Sequence, residues 1–257
     1  MKILGSDFDG TLSHGGIGEE KLSAIKAWRK AGNKFGIVSG RGVTFCQDLR
    51  KKYPELEMDF FAACNGAYIV DENGTAIYES HCNAVSMLEF ATDLLYWGCS
   101  AVRIIKGKQE LCVIKAQADK PAWALEENVR LLADFDDIDW FSQISVYFST
   151  VEEATKMTEK IQQKYQDCLN PLQNGRCIDI VATDVNKAQG LYRVMEFFGG
   201  SYDDVIAVGD NLNDVDMLRE FHSYAMANGV EAIRPLADGI VSDVVELLQI
   251  ENTEKRS

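Results

Sequence analysis

The sequence predicts an α/β protein in which a core built on a parallel sheet is interrupted by a second, inserted α/β unit. Three observations predict it. Strand-like and helix-like segments alternate from Ile3 to Cys64, the texture changes near Asn83, and the alternation resumes after Ala182. Ile3 to Phe8, Phe35 to Ser39 and Phe60 to Cys64 are short apolar runs separated by the amphipathic stretches Glu20 to Ala31 and Thr44 to Tyr53. A strand–helix–strand succession of this kind implies parallel pairing. Tyr68-Ile69-Val70 and Ala76-Ile77-Tyr78 flank the turn Asp71-Glu72-Asn73-Gly74 and read as a hairpin.

The insert spells helix Val85 to Trp97, paired strands Ala101 to Ile105 and Leu111 to Lys115, helix Pro121 to Phe135, strand Ile144 to Ser149, helix Glu152 to Gln166 and strand Cys177 to Ala182. The core pattern then returns: helix Lys187 to Phe198, strand Val205 to Val208, helix Asp214 to Phe221, strand Tyr224 to Ala227, and a last strand and helix from Ile240 to Leu248. The expected division is residues 1–82 with 183–257 as core and 83–182 as the insert.

Composition narrows the function classes. At 257 residues and 46% hydrophobic, the chain can bury a full core. No apolar run is long enough to span a bilayer, and Met1-Lys2 leads straight into a strand without an export signal, so a cytoplasmic location is expected. The 26 Lys and Arg against 40 Asp and Glu give a net charge of −14, which repels nucleic acid and anionic membranes; neither is expected as a partner. Seven scattered cysteines without a CxxC pair argue against a disulfide framework or a zinc site. His14, His81 and His222 show no metal spacing, the four tryptophans read as core or interface, and Arg103, Lys106, Lys108 and Lys115 read as a solvated hairpin surface.

Candidate chemistry collects at strand ends. Asp7-Phe8-Asp9-Gly10-Thr11 closes the first strand; on an extended chain residues two apart project the same way, so both carboxylates can face one point. Open α/β sheets bind ligands beyond their carboxyl ends, and Gly10-Thr11 can turn the chain and offer N–H groups to an anion. A plain turn capped by carboxylates fits these five residues equally well, and Asp134-Phe135-Asp136 repeats the spelling where only a solvated loop is expected. Gly209-Asp210-Asn211-Leu212-Asn213-Asp214 repeats the strand-to-helix context, and Asp210 could join Asp7 around a small hard cation such as magnesium. Asn213 or Asp214 can also serve as an ordinary helix cap. Ser39-Gly40-Arg41 brings a hydroxyl, a flexible backbone and a guanidinium to the same edge. Lys187 opens a helix against the dipole, which points to an anionic partner there, a solvent-exposed lysine being the alternative, and its removal is expected to leave stability unchanged or slightly raised when no ligand is present.

In this order, DFDGT, SGR, an isolated lysine opening a late helix and GDNLND resemble the four motifs of the haloacid dehalogenase superfamily. The insert, Asn65-Gly66-Ala67 and Ala225-Met226-Ala227-Asn228-Gly229 look like its Cof-type branch of sugar-phosphate phosphatases. The chain departs from the branch's commonest spelling at Ser39, Asp179 and Ala188, where Thr, Glu and Gly are frequent. The resemblance implies a Rossmann-like core with a cap as mobile lid. It implies Asp7 as the nucleophile, Asp9 as acid and then base, and Mg²⁺ on Asp7, the Asp9 carbonyl and Asp210. Gly10, Thr11, Ser39, Gly40, Arg41, Asn65 and Lys187 would meet phosphate or substrate, while Asn213 and Asp214 orient water or Lys187. The implied activity is hydrolysis of a small phosphorylated metabolite, with a phosphomutase or phosphotransferase, or a phospho-aspartate switch, as alternatives. Nothing in the sequence indicates an oligomeric state.

Overall fold

The structure, a computed structural model, describes residues 1–115, 121, 124 and 128–254. In chain order the elements are β1 (Ile3–Ser6), α1 (Glu19–Lys30), β2 (Lys34–Val38), α2 (Val43–Lys52), β3 (Phe60–Ala63), β4 (Tyr68–Asp71), β5 (Ala76–Glu79), α3 (Met87–Tyr96), β6 (Ala101–Lys106) and β7 (Gln109–Ile114). They continue with β8 (Gln143–Tyr147), α4 (Val151–Tyr165), β9 (Leu169–Asn174), β10 (Cys177–Ala182), α5 (Lys187–Phe198), β11 (Val205–Gly209), α6 (Val215–Glu220), β12 (His222–Met226), β13 (Gly239–Val241) and α7 (Val244–Glu254). The chain divides into two compact units, residues 1–78 with 186–257 and residues 79–185.

The first unit is an eight-stranded sheet in the order β13-β12-β11-β1-β2-β3-β4-β5. Its strands are parallel from β13 to β3, and β4 returns antiparallel to β3. Every residue of β1 and β11 is buried, as expected of central parallel strands covered on both faces. Ile3, Val38, Phe60, Leu191, Val194 and Val205 share one core cluster of this unit.

The second unit is a five-stranded antiparallel sheet, β7-β6-β8-β10-β9. Val102, Ile104, Ile144, Val146, Ile178 and Ile180 project from one face of it into a core shared with Phe90 and Leu94 of α3 and Ile161 of α4. Ser86 caps α3, and Thr150 with Glu153 forms a capping box on α4. Arg103, expected on a solvated hairpin, is buried and pairs with Glu110 and Ser145.

Two elements differ from the sequence reading. β9 was not foreseen, because Asn170, Pro171 and Gln173 carry no strand pattern; as an edge strand it tolerates the proline that an interior strand would exclude. In the described part of the expected helix Pro121 to Phe135, Val129 bridges Cys112 and Leu132–Phe135 forms one 3-10 turn; residues 122–123 and 125–127 of that stretch, with Trp123, lie outside the described residues. Asp134 bonds the Leu131 N–H in a local cap, the competition that disfavours helix in Asp-rich segments. Phe135 is fully buried, so the second D-F-D contributes its aromatic ring to the core.

Candidate active site

β1 lies between β11 and β2, and all three run parallel, so the segments leaving them emerge together at one edge. That edge is the switch point where open α/β sheets bind ligands. Asp7 is the first residue past β1; its N–H donates to the Val208 carbonyl at 2.9 Å, which continues the ladder by one step.

The chain then leaves the extended conformation. Phe8–Leu12 winds into a tight turn closed by Leu12 N–H to Asp7 O and Ser13 N–H to Phe8 O. The alternation that would aim Asp7 and Asp9 at one point therefore does not apply. Asp7 is buried, whereas Asp9 is exposed and bonds Arg41 through both oxygens. Gly10 holds φ +82, and a Cβ there would lie 2.4 Å from an Asp210 carboxylate oxygen, so a side chain would be strained and would displace Asp210. Thr11 donates its hydroxyl to Asp210 Oδ1 at 2.8 Å.

Lys187, capped into the start of α5 by Asn186, is completely buried. Its Nζ lies 2.6 Å from Asp7 Oδ1 and 2.5 Å from Asp214 Oδ1. Burial works against its charge, but the two carboxylates outweigh it and raise its pKa, so the ammonium persists. Asp214 Oδ2 accepts from the N–H groups of Asp210 and Asn211, both at 2.9 Å. Asp214 thus orients Lys187 and the Asp210 loop at once. Asn213 sits half-buried on the same short turn.

Ser39, buried just past β2, accepts from the Arg41 N–H at 3.2 Å, with Gly40 between them. The loop after β3 braces this segment: Cys64 N–H donates to Arg41 O and Asn65 N–H to Ser39 O, both at 2.9 Å. Cys64 and Asn65 hold φ 52 and 54, an uncommon conformation for side-chain-bearing residues that concentrates at functional sites. Asn65 itself is buried.

A family model for haloacid dehalogenase-like hydrolases matches residues 4–246, nearly the whole chain. The chain belongs to that family. It is 24% identical to the 5-amino-6-(5-phospho-D-ribitylamino)uracil phosphatase YcsE of Bacillus subtilis (strain 168), over 96% of this chain and 92% of the relative. It is likewise 24% identical to the YbjI phosphatase of the same description from Escherichia coli (strain K12), over 91% and 88%. Among solved structures, a haloacid dehalogenase-like hydrolase from B. subtilis superposes with a TM-score of 0.82 at 16% identity, covering 97% of this chain and 99% of that one. The subclass IIB sugar phosphatase BT4131 gives 0.78 at 19% identity, covering 100% and 98%. The core is accordingly Rossmann-like, and the protein is an enzyme of the phosphoric monoester hydrolase type.

In this hydrolase Asp7, Asp210 and Asp214 each offer a carboxylate oxygen within 4.8 Å of one another. Burial raises the pKa of Asp7 and of Asp210, and Asp214 adds to the effect in both; Lys187 pulls both down, and hydrogen bonds with Thr11 and Asp7 further lower that of Asp210. Three carboxylates around one ammonium leave an excess of negative charge. The donors are hard oxygens, so the residues fit a divalent cation such as Mg²⁺. Asp214 is already engaged at both oxygens, which would leave Asp7 and Asp210 as the carboxylates to hold such an ion.

One further residue of the hydrolase escaped the sequence reading. Lys21 of α1 is buried, donates to the carbonyls of Leu12, His14 and Gly16 at 2.8–3.1 Å, and pairs with Asp243 at 3.0 Å. It clamps the exit of the Asp9 turn. The available signal was a lysine in register with Ile25 and Trp28 on the buried face of α1. Among the described residues, no helix is long and apolar enough to cross a membrane.

Proposed function

We propose that the hydrolase removes phosphate from a small phosphorylated metabolite through a phospho-aspartate on Asp7, with Mg²⁺ held by Asp7, Asp210 and the Asp9 carbonyl. The observation that carries the reading is the buried Lys187 ammonium bonded to Asp7 and Asp214 beside Asp210. It supplies a desolvated nucleophile together with fixed positive charge, which phosphoryl transfer chiefly requires.

Asp7 attacks phosphorus as the bond to the leaving alkoxide breaks, while Asp9, released from Arg41 and having taken up a proton from solvent, gives that proton to the leaving oxygen. Asp9 then takes a proton from water, whose oxygen attacks the phosphorus of the phospho-aspartate; phosphate departs and the Asp7 carboxylate is regenerated. Lys187, the Ser39 hydroxyl and N–H groups of the Gly10-Thr11 and Gly40-Arg41 segments compensate charge on the phosphoryl oxygens. Mg²⁺, when bound, adds Lewis-acid neutralisation of that charge.

The relatives are named for a phosphate carried on a ribityl chain, and a structural neighbour is named a sugar phosphatase. Both descriptions support a phosphate ester of a polyhydroxylated carbon chain as the substrate class, with residues 79–185 as the cap that selects among such esters. A Mg²⁺-dependent screen of sugar and polyol phosphates, read as released phosphate with Asp7→Asn as blank, tests the activity. Acid-quench trapping should label Asp7 alone; turnover in a folded Asp7→Asn protein removes the covalent mechanism.

A further inference from the structure

We infer that Asn228 is a positioning residue for the acid–base step, holding the Asp9-Gly10 turn in register with Asp210. The inference rests on the role of Asp9 proposed above.

Asn228 Nδ2 donates to the Gly10 carbonyl at 2.8 Å, across the sheet edge from a segment far away in sequence. The loop that carries it is fixed on every side. Ala227 N–H donates to Val241 O at 2.8 Å, Gly229 N–H to Met226 O at 3.0 Å, and Arg234 Nη2 to Ala227 O at 2.9 Å. Val230 N–H donates to Asp210 O at 2.9 Å, and a Cβ on Gly229 would stand 2.6 Å from that same oxygen. The Ala227–Val230 loop is thus a bracket that grips the Asp210 backbone directly and the Asp9-Gly10 turn through one side chain.

Thr11 and Lys21 anchor the turn beyond Gly10, and Asn228 holds it at Gly10 itself, next to Asp9. Gly10 at φ +82 has wide conformational freedom, and its N–H makes a long 3.3 Å bond to Ser13. Asp9 meanwhile is drawn outward by Arg41. When Asp9 leaves Arg41 to meet the leaving oxygen, the Asn228 bond keeps its backbone in place, so that only the side chain moves. Proton delivery depends on such placement within fractions of an ångström.

A role through Asp9 has a signature that simple loss of fold does not share. A poor leaving group, an alkoxide, needs the proton; p-nitrophenolate does not. The ratio of kcat/KM for p-nitrophenyl phosphate to that for an alkyl phosphate such as a hexose 6-phosphate therefore reads the acid step, independently of the amount of active protein. Asn228→Ala, an exposed substitution, should lower kcat/KM for the alkyl ester on the order of 10-fold or more and that for the aryl ester far less. Asn228→Asp, which turns an acceptor toward the Gly10 carbonyl, should do the same or worse. In both variants, without metal, amide exchange over residues 8–12 should quicken relative to β1. Equal loss with both esters, or no loss with either, overturns the inference. Asp9→Asn run alongside separates the two readings: if it shows the leaving-group dependence and Asn228→Ala does not, Asn228 has no such role. If Asp9→Asn lacks the dependence, the acid–base reading of Asp9 falls and the role of Asn228 falls with it.

Discussion

Arg41 grips Asp9 by both carboxylate oxygens, with Nε and Nη2 each 2.7 Å away. The guanidinium also lies over the Phe45 ring at 4.3 Å, so its plane is set from two directions. The hydrogen bonds to Asp9 raise the Arg41 pKa against the opposing effect of burial, and the group stays cationic. Under the proposed function Arg41 would offer a fork-shaped cation for which an anionic substrate competes.

Arg41→Ala should accordingly raise KM about tenfold, the worth of one lost charge-assisted bond. Arg41→Lys should recover only part, because an ammonium cannot reproduce the fork. Stability should change by less than about 0.5 kcal/mol, since both partners are half in water. Steady-state kinetics and thermal melts of the same preparations check both statements.

Lys187→Met should cost stability. The dipole argument alone expects no loss, but the side chain is fully buried between Asp7 and Asp214, and removing it leaves two buried carboxylates uncompensated. A loss of about 3–5 kcal/mol at pH 7 in chelator is expected, with kcat down on the order of 10²-fold. Denaturant unfolding in EDTA measures the first and single-turnover phosphate release the second.

Mg²⁺ should stabilise the native protein, because it relieves the crowding of Asp7, Asp210 and Asp214. At about 100 times its dissociation constant the gain is about 2.7 kcal/mol. Asp210→Asn should abolish the shift in melting temperature between MgCl2 and EDTA while the fold survives. A full shift in that variant would place the cation elsewhere.

Asp59 should contribute to acid sensitivity at a distance from the site. Burial pushes its pKa up, but Arg29 at 2.7 Å, the Phe35 N–H and Lys34 outweigh it and hold the carboxyl below its usual value. A group whose folded pKa is depressed adds stability that is present above the unfolded value, about 3.9, and lost as pH falls through the folded one. Asp59→Asn should therefore be less stable by about 1–3 kcal/mol at pH 7, and the gap to the native protein should close below about pH 4. A gap that persists in acid would mean that packing, not charge, is at stake.

Much of the site was legible because its residues sit where strands end, and strand ends announce themselves locally. The apolar run before Asp7, the glycine after Asp9 and the Val-Ala run before Asp210 each needed only a few neighbours to read. β9 was illegible for the converse reason: Asn170, Pro171 and Gln173 have no preference for a strand, and pairing with β10 alone makes them one. The helix expected over Pro121 to Phe135 failed in its described part because Asp134 found a local partner that periodicity does not register.

Local patterning and motif order were enough to read the α/β alternation, the expected insert and the candidate site residues from the sequence. Only the tertiary structure decided how those residues are arranged. Pairing β1 with both β11 and β2 brings Asp7, Lys187, Asp210 and Asp214 together from opposite ends of the chain. The tight turn after Asp7 sends Asp9 outward to Arg41 instead of inward beside it. Neither outcome is written in a local window, because the first is a long-range pairing and the second depends on which partner a carboxylate meets once the backbone has turned.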